Sequence, residues 1–192
     1  MMRKFCLLAC LLAFSATFTL AQDQDKDKKP AEGQAVTAPV ANPADVASRD
    51  AIMAATYDVI SGPAGQKRDW NRFLSLFAPG ARLIAVDKNH DGQLVAHTFS
   101  PEDYVKLATP YFDKDGFFER ESSRTLESWA NIEQIFSTYE SRHAAADPKP
   151  FARGINSFQL FNDGKRWWIV TIYWQEETPQ TSLPKKYLGK KR

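Results

Sequence analysis

Apolar residues early in the chain recur at helical spacing and predict three helices. The first follows Ser48, a residue type that caps helix N-termini, and ends at Gly62-Pro63. The second follows Asp69 and ends at Pro79-Gly80, and the third follows Ser100. The first helix carries apolar residues on two sides, which indicates that it packs between two layers.

The other apolar segments follow the two-residue repeat of strands. Six segments fit this repeat: residues 81–86, 94–99, 117–129, 132–143, 156–161 and 167–175. The sequence Asn162-Asp163-Gly164-Lys165 between the last two is typical of a hairpin turn. Helices and long hairpins in this order predict an α+β fold, with three helices packed on one face of a bent antiparallel sheet.

The last predicted strand lacks a polar face. At period two, one face carries Trp168, Val170, Ile172 and Trp174, and the other carries Trp167, Ile169, Thr171 and Tyr173. A strand with one solvated face should alternate apolar and polar residues, so we expect both faces of this strand to be covered.

The two ends of the chain differ from the domain between them. Residues 1–21 combine a basic start, an apolar run and small residues, which predicts a secretory signal peptide cut after Ala21. Residues 22–44 predict a disordered tether, because large apolar residues are scarce there. Residues 178–192 form a basic tail, which we expect to be solvated. The protein is therefore expected to be periplasmic or secreted, with no stable membrane anchor after cleavage and a domain at residues 45–177.

Charge and composition exclude several functions. The chain has 25 Lys and Arg against 23 Asp and Glu. Two of the basic residues fall in the signal peptide and five in the tail, so the domain itself has an excess of acids and is unsuited to nucleic acid. The three histidines are scattered, and no phosphate-cradling glycine loop is present. We expect neither a metal nor a cofactor.

Two motifs and the order of the elements resemble the nuclear transport factor 2-like superfamily, which includes SnoaL-like polyketide cyclases and ketosteroid isomerases. The motifs are Asp69-Trp70 leading into residues 76–81, and Asn162-Asp163-Gly164 followed by the 168–174 segment. The resemblance spans about residues 46–177. It implies a strongly curved, mixed or antiparallel sheet that forms a cone-shaped pocket around the helices, and a homodimer that pairs through the outer sheet face. The pocket residues it implies are Tyr57, Trp70, Phe73, Leu83, Ala85, His97, Tyr139, Trp168 and Trp174.

The resemblance also bears on catalysis. Ketosteroid isomerisation needs a carboxylate base, together with a tyrosine and a neutral carboxylic acid that hold the enolate oxygen. Tyr57 matches the tyrosine, but Ala85 occupies the base position, and the second acid falls near Asn156 or Ser157. We therefore expect no ketosteroid isomerase activity.

Other acid/base candidates lie outside those positions. His97 could face inward beside Tyr57, and histidine is the residue type most often used for acid/base chemistry. Glu119 belongs to a dense ionisable cluster with Arg124 and His143, for which cross-strand ion pairing on a solvated face is the favoured interpretation.

Two functions stay open. The favoured one is an exported pocket domain that binds a small apolar molecule or serves as a dimeric assembly module. The alternative is a SnoaL-like lyase or isomerase that uses Tyr57, His97 and Glu119 for general acid/base catalysis.

Overall fold

A computed structural model describes residues 38–189 of the chain. The helices are α1 (Pro43–Val46), α2 (Arg49–Ile60), α3 (Trp70–Ser75) and α4 (Pro101–Lys114). The strands are β1 (Phe77–Lys88), β2 (Leu94–Phe99), β3 (Phe118–Trp129), β4 (Ile132–Arg142), β5 (Ala152–Asn162) and β6 (Trp167–Glu176), and a 3-10 helix spans Lys185–Tyr187. The predicted signal peptide lies outside the described residues. Within residues 38–189, no helix is both long and apolar enough to cross a membrane.

The six strands form one mixed sheet in the order β2-β1-β6-β5-β4-β3. Neighbouring strands are antiparallel except β1 and β6, which run parallel and join the first hairpin to the last one. The predicted α+β class is therefore confirmed, and the sheet is mixed. The parallel pair connects strands far apart in the chain, so local sequence patterns could not predict it.

Side-chain caps start the three predicted helices at the expected residues. Ser48 Oγ accepts the backbone N–H of Ala51 at 3.1 Å, and Asp69 Oδ1 accepts that of Arg72 at 2.9 Å. Ser100 caps α4 in the same way. The end of α3 differs from the prediction, because the chain enters β1 at Phe77 and Pro79-Gly80 lie inside that strand, where its pairing with β6 shifts register.

A β-bulge in β6 changes the predicted faces of that strand. Leu160 pairs with Ile169 while Gln159 pairs with Thr171, so Val170 is the extra residue. Ile169 and Ile172 are therefore both buried on the inner face, whereas Val170 and Tyr173 are exposed on the outer face. The strict two-residue alternation expected from the sequence was wrong here, because a bulge reverses the side to which later residues point.

The ends of the described region pack on the domain more closely than predicted. Asn42 caps α1, and Ala41 packs against the core, so part of the predicted 22–44 tether contributes to the fold. At the other end, Thr138 Oγ1 donates to the Tyr187 carbonyl at 2.6 Å on the outer face of β4. The described part of the predicted tail thus contacts the β3–β4 side of the sheet around Tyr187, while most of its residues are exposed to solvent as expected.

Candidate functional site

A cavity of about 430 Å³ lies between the helices and the inner face of the sheet. Helices α2, α3 and α4 and all six strands contribute to its wall, and half of the lining residues are aromatic. Its volume falls in the range of small-molecule sites. The aromatic wall includes Phe73, Tyr104, Phe112, Tyr139, Phe158 and Trp174.

Polar side chains inside the domain form one hydrogen-bonded group, which we call the cavity network: Tyr57, Glu119, Ser137, Ser141 and Asn156. Asn156 Nδ2 lies 3.1 Å from Glu119 Oε1 and 3.2 Å from the Tyr57 hydroxyl. Ser141 Oγ donates to Glu119 Oε2 at 2.9 Å, and the Tyr57 and Ser137 hydroxyls are 2.7 Å apart. Residues from α2, β3, β4 and β5 thus meet in one polar group at the wall of a largely apolar cavity.

Burial perturbs the acid in this network. Removal from water raises the pKa of the Glu119 carboxyl to about 7, although hydrogen bonds from Ser141 and Asn156 favour its charged form. Burial, reinforced by the charge of Glu119, also raises the pKa of the Tyr57 and Tyr139 hydroxyls above their ordinary value. Glu119 can therefore gain or lose a proton near neutral pH, while both tyrosines stay neutral.

A second set of contacts connects the network to the protein surface. Ser137 Oγ donates to Glu121 Oε2. Glu121 Oε1 accepts from Arg124 Nε at 2.6 Å, and Arg124 also contacts the exposed Asp50 at 2.6 Å. Glu121 and Arg124 are thus positioned behind the cavity wall, where they support Ser137.

The structure brings some of the predicted pocket residues together. Tyr57, Phe73, Leu83, Tyr139 and Trp174 line the cavity. The candidate acid Glu119 lines it too, which corrects the expectation that its cluster pairs on a solvated face.

Four predicted pocket residues lie outside the cavity lining. Trp70 does not line the cavity but stacks on the lining residue Phe112, with ring centroids 6.0 Å apart. Ala85 and His97 pair with each other on the β1–β2 hairpin, and His97 Nε2 lies 3.0 Å from Asp87 at a half-exposed position. Trp168 precedes the β6 bulge, and its Nε1 donates to Asp163 at 2.8 Å in the hairpin turn.

The remaining ionisable cluster divides between the two faces of the sheet. Arg120 and Arg142 both contact Glu140 on the outer face. His143 lies beyond β4, where its ring stacks on Phe151 with centroids 4.1 Å apart. His143 is therefore separate from Glu119, and the cluster does not form one acid/base site.

Sequence reasoning overlooked the serines of the network. Ser137, Tyr139 and Ser141 alternate along β4 and share its inner face with Ile135. Serines that share the inner face of a strand with buried apolar residues indicate a polar site on a core-facing strand. Asn156 enters the sequence prediction only as a position where a second acid is missing.

The comparisons with known proteins concern the fold. No protein-family model matches the sequence, and no curated protein is significantly similar to it. A Nostoc punctiforme protein of unknown function with a cystatin-like fold is 12% identical, with a TM-score of 0.50; the match covers 66% of this chain and 86% of that one. A nuclear transport factor 2-like protein of unknown function from Silicibacter pomeroyi is 14% identical over 68% of this chain and 94% of that one, with a TM-score of 0.46. A proposed ketosteroid isomerase from Parabacteroides distasonis is 11% identical over 68% and 89%, with a TM-score of 0.46.

The Nostoc punctiforme match, at a TM-score of 0.50, shows that the chain has a cystatin-like fold. The resemblance predicted from the sequence is confirmed at the level of the fold and no further. Identities this low carry no activity from one protein to another, because one fold supports many unrelated functions.

Proposed function

We propose that this protein is an exported, dimeric binding protein whose cavity holds one small, mostly apolar molecule. The observation that carries the proposal is the aromatic cavity of about 430 Å³ with the cavity network in its wall. Apolar pockets with a few convergent polar groups are typical of small-molecule sites, where apolar area supplies affinity and polar groups fix orientation.

The cone expected from the resemblance is part of this proposal. Register shifts interrupt β1 near Phe77, β3 between Glu121 and Ser123, and the β5–β6 ladder at Gln159. Bulges bend strands and increase their twist. Three of them in six strands support a sheet that curves around α2 and α4 and makes the cavity its concave side.

A fluorescent titration tests the binding function. N-phenyl-1-naphthylamine is a small apolar probe whose emission rises in apolar surroundings, and we expect saturable binding at one site. Ala108→Trp places a large side chain in the cavity from α4 and should weaken binding by at least about tenfold, because a filled volume excludes the probe. Ala54→Trp on the exposed side of α2 is the matched control and should bind like the parent. Equal binding by both variants would place the probe elsewhere.

A second function, proton transfer on the bound molecule, is favoured by one observation. Glu119 has a pKa raised to about 7 and lines the cavity, as a general acid or base requires. The test is deuterium exchange at the carbon atoms beside the carbonyl of 2-tetralone, followed by NMR in deuterated buffer. Exchange that depends on the protein and disappears in Glu119→Gln would support catalysis. Exchange no faster than in buffer alone would contradict proton transfer and leave binding as the function.

The dimer in this proposal uses the part of the outer sheet face that residues 178–189 leave open. Val170 and Tyr173 on β6 are 40% and 46% exposed, and a shallow hollow beside them is lined by Ile84, Ala96 and Thr171. Tyr173→Asp should shift the protein toward monomer in sedimentation equilibrium. Trp129→Asp, at the exposed β3–β4 turn, should leave the dimer unchanged. A parent protein that sediments as a monomer would rule out the dimer.

Export follows from the predicted signal peptide and is tested directly. We expect the mature protein in the periplasm or medium, with Gln22 as its first residue by mass spectrometry of the intact chain. Recovery of the full-length chain from the cytoplasm would contradict this.

A further inference from the structure

The hydrogen bonds that leave Tyr57 have a fixed direction. Glu121 pairs with Arg124 and can only accept hydrogen bonds in this state. Ser137 lies beside Glu121 Oε2 and therefore gives its single hydroxyl hydrogen to it. The Ser137 oxygen must then accept from Tyr57, 2.7 Å away. The Tyr57 hydrogen is thus committed to Ser137 and is not available to a molecule in the cavity.

The amide of Asn156 is oriented by the same logic. Tyr57 has given its hydrogen to Ser137 and can only accept from Asn156, and an ionised Glu119 also only accepts, so the amide nitrogen, and not its oxygen, faces both. One N–H of Asn156 goes to Glu119 and the other to the Tyr57 oxygen. Both donors are therefore used, and within residues 38–189 the Asn156 Oδ1 atom has no hydrogen-bond partner.

Within the cavity network, the polar atoms left for a ligand are consequently acceptors. They are the lone pairs of Glu119, Asn156 Oδ1 and Tyr57 Oη. The two charged residues among the described lining are Glu119 and Glu176, both acids, and the aromatic wall presents electron-rich faces that attract cations. The hydroxyls of Tyr104, Tyr111 and Tyr139 also line the cavity. At the network itself, however, a carbonyl group would meet the lone pairs of Glu119, Asn156 and Tyr57, whereas a protonated nitrogen would meet complementary atoms.

We propose that the molecule bound in the cavity is a small apolar amine, held through its protonated nitrogen by Glu119 and Asn156. This inference rests on the proposed binding function and specifies its ligand class. It also separates this cavity from sites in which a tyrosine donates to a carbonyl oxygen, because here the matching hydroxyl faces the opposite way.

Three compounds with one skeleton test the inference. Tetralin, 2-tetralone and 2-aminotetralin differ only in a hydrogen, a carbonyl or an ammonium group at the same ring position. Affinities are measured by calorimetry or ligand-observed NMR at pH 8, where Glu119 is largely ionised. We expect 2-aminotetralin to bind at least about tenfold more tightly than 2-tetralone, because a buried charge-assisted hydrogen bond replaces a repulsive contact. In Glu119→Gln this preference should fall about tenfold or more.

A second variant tests the direction of the hydrogen bonds without touching the cavity lining. In Glu121→Gln, the Arg124 donor keeps the amide oxygen on its side, so the new NH₂ group faces Ser137. Ser137 must then donate to Tyr57, and the Tyr57 hydrogen turns toward the cavity. We expect 2-tetralone to bind several-fold more tightly to this variant than to the parent, while tetralin binds equally to both.

The outcomes separate the two proposals. Tetralin reports only on the apolar cavity, so its failure to bind, with failure of both relatives, would overturn the binding function and the ligand class together. Binding of tetralin and 2-tetralone as tightly as 2-aminotetralin would overturn the amine and keep the cavity as a binding site. An amine preference that persists in full in Glu119→Gln would also overturn the inference, because the attraction would then come from surface charge.

Discussion

Replacing Glu119 by Gln keeps the size of the side chain and removes its charge, so this change should alter how folding stability depends on pH. The carboxyl has a pKa of about 7 in the folded protein against an ordinary value of 4.5. Burial in the cavity raises the pKa, and hydrogen bonds from Ser141 and Asn156 limit the rise.

The sign and size follow from proton linkage. Between the two pKa values the folded protein keeps a proton that the unfolded chain has released, so raising the pH favours unfolding. The stabilisation is complete below pH 4.5 and is lost as the pH rises through 7. The difference corresponds to about 3 kcal/mol, since each pKa unit is worth about 1.4 kcal/mol. The free energy of unfolding of the parent, relative to Glu119→Gln, should therefore fall by about 3 kcal/mol from pH 4 to pH 8.5.

Urea unfolding followed by tryptophan fluorescence measures this difference at half-unit steps of pH. Glu140→Gln is a matched control on the outer face. Burial opposes ionisation of Glu140, but hydrogen bonds and charges of Arg142 and Arg120 outweigh it and lower its pKa. The parent should therefore gain stability over that variant as pH rises, which is the opposite trend. A parent minus Glu119→Gln difference that is flat or rises with pH would refute a buried, unpaired carboxyl in the cavity.

Further changes test the packing around the site. Phe158→Ala should lower the free energy of unfolding by about 3–5 kcal/mol, because Phe158 is fully buried beneath the cavity. Phe161→Ala on the outer face should lower it far less, and urea titrations compare the two variants. Arg72→Ala removes the partner that lowers the pKa of Asp45 and should cost about 1–3 kcal/mol at pH 7, an effect that shrinks in acid as Asp45 is protonated in the parent. Deleting residues 178–192 should lower the melting temperature, because the described part of that segment covers β4; an unchanged value would contradict its packing.

Sequence patterns predicted the elements of this fold better than their connections. The caps at Ser48, Asp69 and Ser100 are local, and each helix starts where the capping chemistry placed it. The bulge at Val170 is different, because its position depends on how β5 and β6 pair, and pairing is a tertiary property. The extension of β1 back to Phe77 has the same origin, since the β6 partner decides where that strand begins.

The candidate site was predictable only in part for a related reason. Tyr57 and Glu119 could be named from their chemistry, and the fold places both in the cavity. His97 could not be excluded from sequence, because its exposure results from the short β1–β2 hairpin. Residue type also could not show that Ser137 connects Tyr57 to Glu121, since that contact joins α2, β3 and β4 across the interior.

The direction of the hydrogen bonds therefore decides more about function here than the identity of the matched residues. Tyr57 stands where a tyrosine that donates to an oxyanion is expected from the resemblance, yet Glu121 draws its hydrogen away through Ser137. Ala85, at the expected base position, lies outside the cavity lining, and the acid in the cavity is Glu119 on β3. With the Tyr57 hydrogen turned away from the cavity and the Glu119 carboxyl inside it, the network favours positive charge where the chemistry implied by the resemblance develops negative charge. If the proposed amine is the ligand, Glu121 behind the cavity wall sets this polarity by fixing the direction of the Tyr57 hydrogen bond.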